Sequence, residues 1–210
     1  MSQTLLPTLQ VSLLADTGLS VSDRITKDAR LKVEGVVEGA QVQYSINGKD
    51  WTETLPIAVQ GLNSVYVRQI NSTGGMSNSS FLQFTLDTIN PLANLQLALR
   101  SDTGLAADLI TRDGTLMVAN VGAGHRIEYS SNGIEWLSKQ PVTVEGQNTV
   151  WVRQVDVAGN ASSAQSINFM FDSKASAPIV ALLSDTGVLG TDRLTSNAAL
   201  KVTGLEANAK

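Results

Sequence analysis

Cysteine is absent from the 210 residues, which excludes disulfide bonds, thiolate metal sites and cysteine nucleophiles. The single histidine, His125, excludes metal sites built on several imidazoles, and its neighbouring glycines predict a solvated turn residue. No apolar run is long enough to cross a bilayer as a helix. The net charge of −4 and the pI of about 4.9 argue against nucleic acid or an anionic membrane as a partner.

Two further absences concern targeting and secondary structure. Met1 to Pro7 do not provide a charged segment followed by an apolar one, so we expect no signal peptide in this sequence. If the parent protein is exported, we expect the 210 residues to be an internal piece of it. No segment has the periodicity of an amphipathic helix, and the apolar residues instead alternate or run over short stretches. The sequence therefore predicts an all-β protein.

The residues that are present repeat at intervals of about 85 positions, the length of one small domain. The triplet D-T-G occurs at Asp16, at Asp102 and again at Asp185. Later landmarks also return between the first two copies: Tyr44 with Tyr129, Asn47-Gly48 with Asn132-Gly133, Trp51 with Trp136, and Val67-Arg68-Gln69 with Val152-Arg153-Gln154. We predict two complete modules and one truncated module at residues 1–89, 90–176 and 177–210, called copies one, two and three below.

Strand-like segments fill each complete copy. In copy one we predict strands A, B, C, C′, E, F and G at residues 9–14, 31–35, 41–46, 49–54, 57–59, 64–69 and 81–86. The Asn47-Gly48 pair predicts a type I′ hairpin that sets Tyr44 opposite Trp51. About seven short strands separated by turn signals are typical of an immunoglobulin-like sandwich. The predicted fold is therefore a row of tandem immunoglobulin-like β-sandwiches, two complete and one truncated. Copy three lacks strands C to G, and we expect it to be disordered or to borrow a partner.

Acidic residues gather at the ends of the predicted sandwiches. The A–B loop and the end of strand G lie at one pole of such a sandwich, and the F–G loop lies at the other. End-to-end stacking would bring the A–B loop of one copy to the F–G loop of the next. Carboxylate, amide and carbonyl oxygens are the ligands that Ca²⁺ prefers. The predicted calcium ligands are Asp16, Asp23, Asp87, Asp156 and Asn160 at the first junction, and Asp102, Asp108 and Asp172 at the second.

Turn formation is the alternative explanation for these aspartates, because Asp side chains at turns commonly accept hydrogen bonds from nearby backbone amides. Clustering of carboxylates from separate loops favours the ion, since like charges held close together disfavour ionisation. Copy one has Asn71 and Gly75 where copy two has Asp156 and Asn160, so the F–G loop of copy one lacks the carboxylate. Asp28 and Asp113, which match each other at the end of the A–B loop, are possible further ligands.

The complete pattern resembles the bacterial Ig-like repeats of giant surface adhesins of the repeats-in-toxin type. It runs D-T-G, D-x-[IL]-T, [VI]-x-Y-S-x-N-G-x-x-W and N-x-V-x-V-R-Q-x-D-x-A-G-N, and it is complete from Asp102 to Asn160. The resemblance implies extracellular extender modules at the cell surface, often stiffened by calcium at domain junctions, with a role in cell adhesion and biofilms. Their partners would be neighbouring repeats of the same chain, with a host or surface glycan or protein bound through other domains.

Two other functions have sequence signals of their own. D-T-G is also the aspartic-protease signature, but that chemistry needs two aspartates that share a proton. Each D-T-G here belongs to a separate module, so we predict that the protein is not an enzyme. A carbohydrate- or protein-binding module is the main competitor, because alternation with Val150 and Val152 leaves Trp151 on the outer face of its strand. Such a ring could stack on a sugar or pack against a neighbouring residue.

Overall fold

A computed structural model describes residues 5–205, and every regular element in this range is a β-strand. No helix that could span a membrane occurs in these residues. Copy one contains β1 (Gln10–Leu13), β2 (Ile25–Thr26), β3 (Leu31–Glu34), β4 (Gln41–Ser45), β5 (Gly61–Ile70) and β6 (Ser80–Leu86). Copy two contains β7 (Gln96–Leu99), β8 (Ile110–Thr111), β9 (Leu116–Ala119), β10 (Arg126–Ser130), β11 (Gly146–Val155) and β12 (Gln165–Phe171). Copy three contributes β13 (Ile179–Leu182) and β14 (Leu200–Thr203).

The chain divides into two compact units. The first runs up to Leu99 and adds Thr115–Val142 and Thr149–Asn168, so it contains copy one and the F–G loop of copy two. The second consists of Arg100–Gly114, Thr143–Asn148 and the residues from Phe169 onward. The units follow spatial contact rather than sequence repetition, and the bounds of the three repeats remain a prediction.

Two sheets enclose the core of copy one. β1 pairs antiparallel with β3, and a second sheet has the strand order β2-β6-β5-β4, in which β2 is parallel to β6. Alternation along β5 and β6 turns one face of each strand inward. The buried core residues are Leu9, Val65, Val67, Leu82, Phe84 and Leu86, and Val11, Leu31 and Val33 from the smaller sheet pack against them.

Copy two repeats the strand pairs of copy one. β7 pairs antiparallel with β9, β10 pairs antiparallel with β11, and β8 is parallel to β12. Val152 and Phe169 are buried, as are their counterparts Val67 and Phe84. The all-β prediction is confirmed, and the arrangement of several sheets is compatible with β-sandwiches.

Two predicted strands do not form in copy one. Residues 49–54 make only an isolated bridge, between Tyr44 and Thr52, and residues 57–59 are not in a strand. β2 and β8, in contrast, are short strands that the sequence did not predict. They depend on parallel pairing with β6 and β12, which joins residues far apart in sequence and leaves no local pattern.

The hairpin prediction at Asn47-Gly48 is also wrong. A type I′ turn needs positive φ at both central residues, whereas φ is positive only at Gly48 (73°). Side chains shape the turn instead: Ser45 Oγ accepts from Gly48 N (2.9 Å), and Asn47 Oδ1 accepts from the backbone amides of Lys49 and Asp50. Tyr44 consequently lies opposite Thr52 and not opposite Trp51.

The described part of copy three forms an antiparallel pair of β13 and β14, where the sequence predicted disorder or a borrowed partner. This pairing is local and needs no other strand. Its apolar residues remain exposed, including Ile179, Val180, Leu200 and Val202. Residues 206–210 of the predicted copy three lie outside the described range.

Candidate functional site

The D-T-G triplet of copy one opens an A–B loop that is held by its own side chains. Thr26 is fully buried and donates to Ala15 O (3.0 Å). Thr17 Oγ1 lies 3.2 Å from Thr26 Oγ1 and accepts from Lys27 N (2.9 Å). Asp16 Oδ2 accepts from the backbone amide of Arg24 at 2.9 Å. These bonds make the triplet a turn-forming motif, as the alternative explanation expected.

The F–G loop of copy two, residues 156–160, is closed by its two polar ends. Asp156 and Asn160 are each only 5% exposed. Asp156 Oδ1 accepts from Asn160 N (2.8 Å), and Asp156 Oδ2 accepts from Asn160 Nδ2 (3.0 Å). Asp156 N also donates to Asn160 O (3.0 Å). The three residues between them, together with the side-chain amide of Asn160, contact the rest of the molecule.

Copies one and two meet through these two loops. Three consecutive carbonyl oxygens of the F–G loop accept hydrogen bonds from the A–B loop of copy one: Val157 O from Leu19 N (3.2 Å), Ala158 O from Thr17 Oγ1 (2.6 Å) and Gly159 O from Lys27 Nζ (2.7 Å). In the other direction, Asn160 Nδ2 donates to Asp87 O at 2.8 Å. Ala158 is completely buried. The predicted meeting of A–B and F–G loops therefore occurs within the first compact unit.

Glycine makes this close approach possible. A Cβ added to Gly18 would lie 1.9 Å from Val157 O, which no side chain can occupy without moving the backbone. A Cβ on Gly159 would lie 3.0 Å from Gly18 N. Both glycines also have positive φ, 102° and 90°, which other residues adopt at a cost. The D-T-G and A-G-N motifs thus meet at their glycines.

The predicted calcium ligands make hydrogen bonds within the protein. No three His, Cys, Asp or Glu side chains of residues 5–205 form a group that could hold a metal ion. Each predicted aspartate instead accepts at least one hydrogen bond close by: Asp23 from Ile25 N, Asp87 from Gln60 Nε2 and Ile89 N, Asp102 from Ala107 N, Asp108 from Ile110 N and Asp172 from Lys174 N. Asp156 and Asn160 bind each other.

The possible further ligand Asp28 is also engaged. Its two carboxylate oxygens accept from the Arg30 guanidinium at 2.6 to 2.9 Å. These hydrogen bonds lower the pKa of Asp28 and raise the pKa of Arg30. Asp28 is therefore half of an ion pair at the end of the A–B loop.

Each D-T-G aspartate has one carboxylate oxygen without a hydrogen-bond partner among the described residues. Asp16 Oδ1, Asp102 Oδ1 and Asp185 Oδ1 are buried and have no hydrogen-bond partner within the described residues. Burial of a carboxylate oxygen without a donor is costly. The same oxygen lacks a partner in all three copies, so this property belongs to the D-T-G motif and is not peculiar to one loop.

The outer-face aromatic residues pack within the chain. The Trp151 ring lies against Gly133, 3.8 Å from the position of an added Cβ, and Tyr66 lies in the same way against Gly48. Trp51 and Trp136 are covered by arginines, with Arg68 and Arg153 centred 4.0 and 4.1 Å from the respective rings. These contacts favour the packing explanation for Trp151.

Sequence reasoning missed Lys27 at the junction and two buried glutamines that tie each copy together. Gln69 Oε1 accepts from Val37 N (2.8 Å), and Gln154 Oε1 accepts from Gly122 N (2.9 Å). His125 Nδ1 lies 3.0 Å from Gln154 Oε1, so this histidine is half-buried and bonded rather than solvated. The only sequence signal for these glutamines was the recurrence of V-R-Q in copies one and two, and this recurrence does not show which groups the glutamine side chains bind.

No protein-family model and no curated protein matches this chain.

Proposed function

We propose that this chain consists of extender modules of a bacterial cell-surface adhesin, built from tandem immunoglobulin-like domains. The observation that supports this role is the direct contact between copies one and two, in which three consecutive carbonyl groups accept hydrogen bonds from one loop. Domains joined by linkers alone are expected to move relative to each other. A spacer needs joints that resist bending, and a joint bonded at defined backbone positions serves that need.

The modules would act outside the cell, where they hold a binding tip away from the surface. Their partners are the neighbouring repeats of the same chain, and a glycan or protein would be bound by other domains. This role asks for no catalytic group. It is consistent with the packing of the outer-face aromatics against the chain itself.

Calcium is the cofactor that we propose for the A–B loop of each copy. The donor chemistry fits, because Asp16, Asp102 and Asp185, one in each A–B loop, have a buried carboxylate oxygen that lacks a hydrogen-bond partner among the described residues. A hard cation satisfies such an oxygen and would order the loop. Asp23 and Asp108 lie in the same loops and are secondary candidates. Asp156 and Asn160 fit less well, since an ion would have to displace the bonds between them.

Thermal unfolding of the full chain in calcium and in chelator tests this proposal. An ion that binds only the folded state stabilises it by about 2.7 kcal/mol at a free concentration of 100 times Kd. We expect calcium to raise Tm in the wild type and to lose this effect when Asp16→Asn, Asp102→Asn and Asp185→Asn are combined. Asp50→Asn, in the turn that follows β4, is the control and should keep the response. Identical melting curves in calcium and chelator would remove calcium from the proposal.

Small-angle scattering of the same samples tests the extender role. One fixed arrangement of copies one and two should describe the data. Scattering that requires freely moving copies in both calcium and chelator would contradict a spacer function.

A further inference from the structure

The A–B loop of copy one contacts the main chain of the F–G loop of copy two. The residues that do so, Thr17, Gly18, Leu19 and Lys27, are called the copy-one pole here. Three of them donate to carbonyl oxygens, and the fourth, Gly18, provides the space for the approach. Because the acceptors are main-chain atoms, the pole recognises the shape of the loop more than its side chains.

The positive charge at this contact is the side-chain ammonium of Lys27, so the protein supplies it and no metal ion is needed. Lys27 Nζ lies 2.7 Å from Gly159 O, and a bond from an ionised donor is stronger than one between neutral groups. The neighbouring carbonyl oxygens of Val157 and Ala158 accept from Leu19 N and Thr17 Oγ1. The loop carbonyls that a calcium ion would need for a bridge between the copies are thus already bonded.

Copy two has a corresponding A–B loop that is one residue shorter, and among residues 5–205 it makes no such contact. Thr103 Oγ1 lies 3.3 Å from Thr111 Oγ1 and accepts from Arg112 N at 2.9 Å, as Thr17 does with Thr26 and Lys27. Gly104 has a φ of 90°, and apart from its two chain neighbours no described residue has an atom within 4 Å of a Cβ added there. The threonine bonds of the A–B loop therefore form in copy two without a docked F–G loop, and a loop that is already ordered lowers the entropy cost of docking.

The loop shape also survives a change of side chains. In the F–G loop of copy one, Asn71 N donates to Gly75 O (3.0 Å) and Gly74 N donates to Asn71 O (3.1 Å). The F–G loop of copy two has the same two bonds, at 3.0 and 3.2 Å. The glycine before the last position has positive φ in both loops. Asn71 Oδ1 also accepts from Gly75 N (2.7 Å), as Asp156 Oδ1 accepts from Asn160 N, so these bonds are kept when Asn71 and Gly75 replace the Asp–Asn pair.

We propose that the copy-one pole is a recognition surface for the main chain of an F–G loop, and that the Lys27 ammonium is the cation of this junction. Copies one and two consequently remain locked without a metal ion. The inference rests on the proposed modular role but not on calcium, which acts inside the A–B loops.

Distance measurements between spin labels test the lock in the full chain. The absence of cysteine allows specific labelling after Glu53→Cys in copy one and Ser138→Cys in copy two, both at exposed positions. In chelator, the labelled wild type should give one narrow distance distribution. Gly18→Ala should broaden that distribution, because the added Cβ collides with Val157 O.

Gly104→Ala is the matched control for Gly18→Ala. Both substitutions place alanine at a positive φ, but only the one at Gly18 also meets the F–G loop. A second pair, Lys27→Met and Arg112→Met, removes a cation at equivalent positions and keeps the aliphatic stem of an exposed residue. We expect broadening with Lys27→Met and none with Arg112→Met. Since an exposed lysine is not needed for folding, this pair decides the question if Gly18→Ala fails to fold.

Three results would overturn the proposal. The first is a wild-type distribution that is broad in chelator and narrows with calcium, which would make the metal the lock. The second is equal broadening by Gly18→Ala and Gly104→Ala, and the third is no effect of Lys27→Met. A narrow distribution in chelator together with identical melting in calcium and chelator would support the lock and remove only the calcium proposal.

Discussion

Single buried polar side chains hold the loops of this protein on its strands. Gln69, at the end of β5, is fully buried. Its Nε2 donates to Pro7 O (2.7 Å) and Gly35 O (3.2 Å), and its Oε1 accepts from Val37 N (2.8 Å). One amide thereby joins the start of the module, the B–C loop and strand F. Three backbone groups would lose their partner if this side chain were apolar.

We predict that Gln69→Leu lowers the free energy of unfolding of copy one by about 1–3 kcal/mol, the usual cost of leaving a buried polar group unpaired. Gln83→Leu, at an exposed position on β6, is the control and should change stability by about 0.5 kcal/mol or less. Urea unfolding of both variants checks this. Equal effects of the two substitutions would mean that the bonds of Gln69 contribute nothing.

At the scale of elements, the two faces of β6 have different roles. Phe84 points into the core and is 4% exposed, whereas Phe81 lies on the outer face and is 51% exposed. The outer ring still packs on Tyr66, with ring centroids 4.8 Å apart. The same residue type therefore occurs on both sides of one strand with different burial.

Phe84→Ala should destabilise copy one by about 3–5 kcal/mol, because it removes buried apolar surface and leaves a cavity. Phe81→Ala should cost about 0.5–1.5 kcal/mol, since it removes mainly a pair of rings at the surface. Denaturant unfolding gives both values. A similar cost for the two variants would contradict the inward orientation of Phe84.

At the scale of the whole molecule, stability is distributed unevenly along the chain. Copies one and two have buried core residues, whereas β13 and β14 have both faces exposed apart from Leu182, which is partly buried. A two-stranded sheet with no covered face is marginally stable in water. The chain also has no disulfide to compensate, because it contains no cysteine.

Hydrogen exchange should therefore separate copy three from the others. We expect the amides of β13 and β14 to exchange much faster than those of β5 and β11, since a weakly packed element opens at low free energy. Peptide-resolved exchange measured by mass spectrometry reports this difference. Equal protection of β13 and β5 would show that the pair is covered in solution.

The sequence by itself determined the features that depend on local pattern. Alternation predicted β1, β3, β4, β5 and β6 to within a few residues, and the spacing of D-T-G predicted the repeat. It also predicted that an A–B loop meets an F–G loop, because that follows from the order of strands in a sandwich. It did not find β2, Gln69 or Lys27, since their roles depend on partners that are remote in the chain.

Only the tertiary structure decided what the acidic residues do at the first junction. Asp156 and Asn160 bind each other inside their loop, and the contact to copy one is made mainly by three main-chain carbonyl oxygens, with one further bond from Asn160 Nδ2 to Asp87 O. A list of side chains cannot reveal such a contact, because main-chain acceptors have no residue type. For Gly18, sequence and structure contribute different information. The sequence showed that this glycine recurs in each D-T-G triplet, and the structure showed that Val157 O leaves no room for a Cβ at this position.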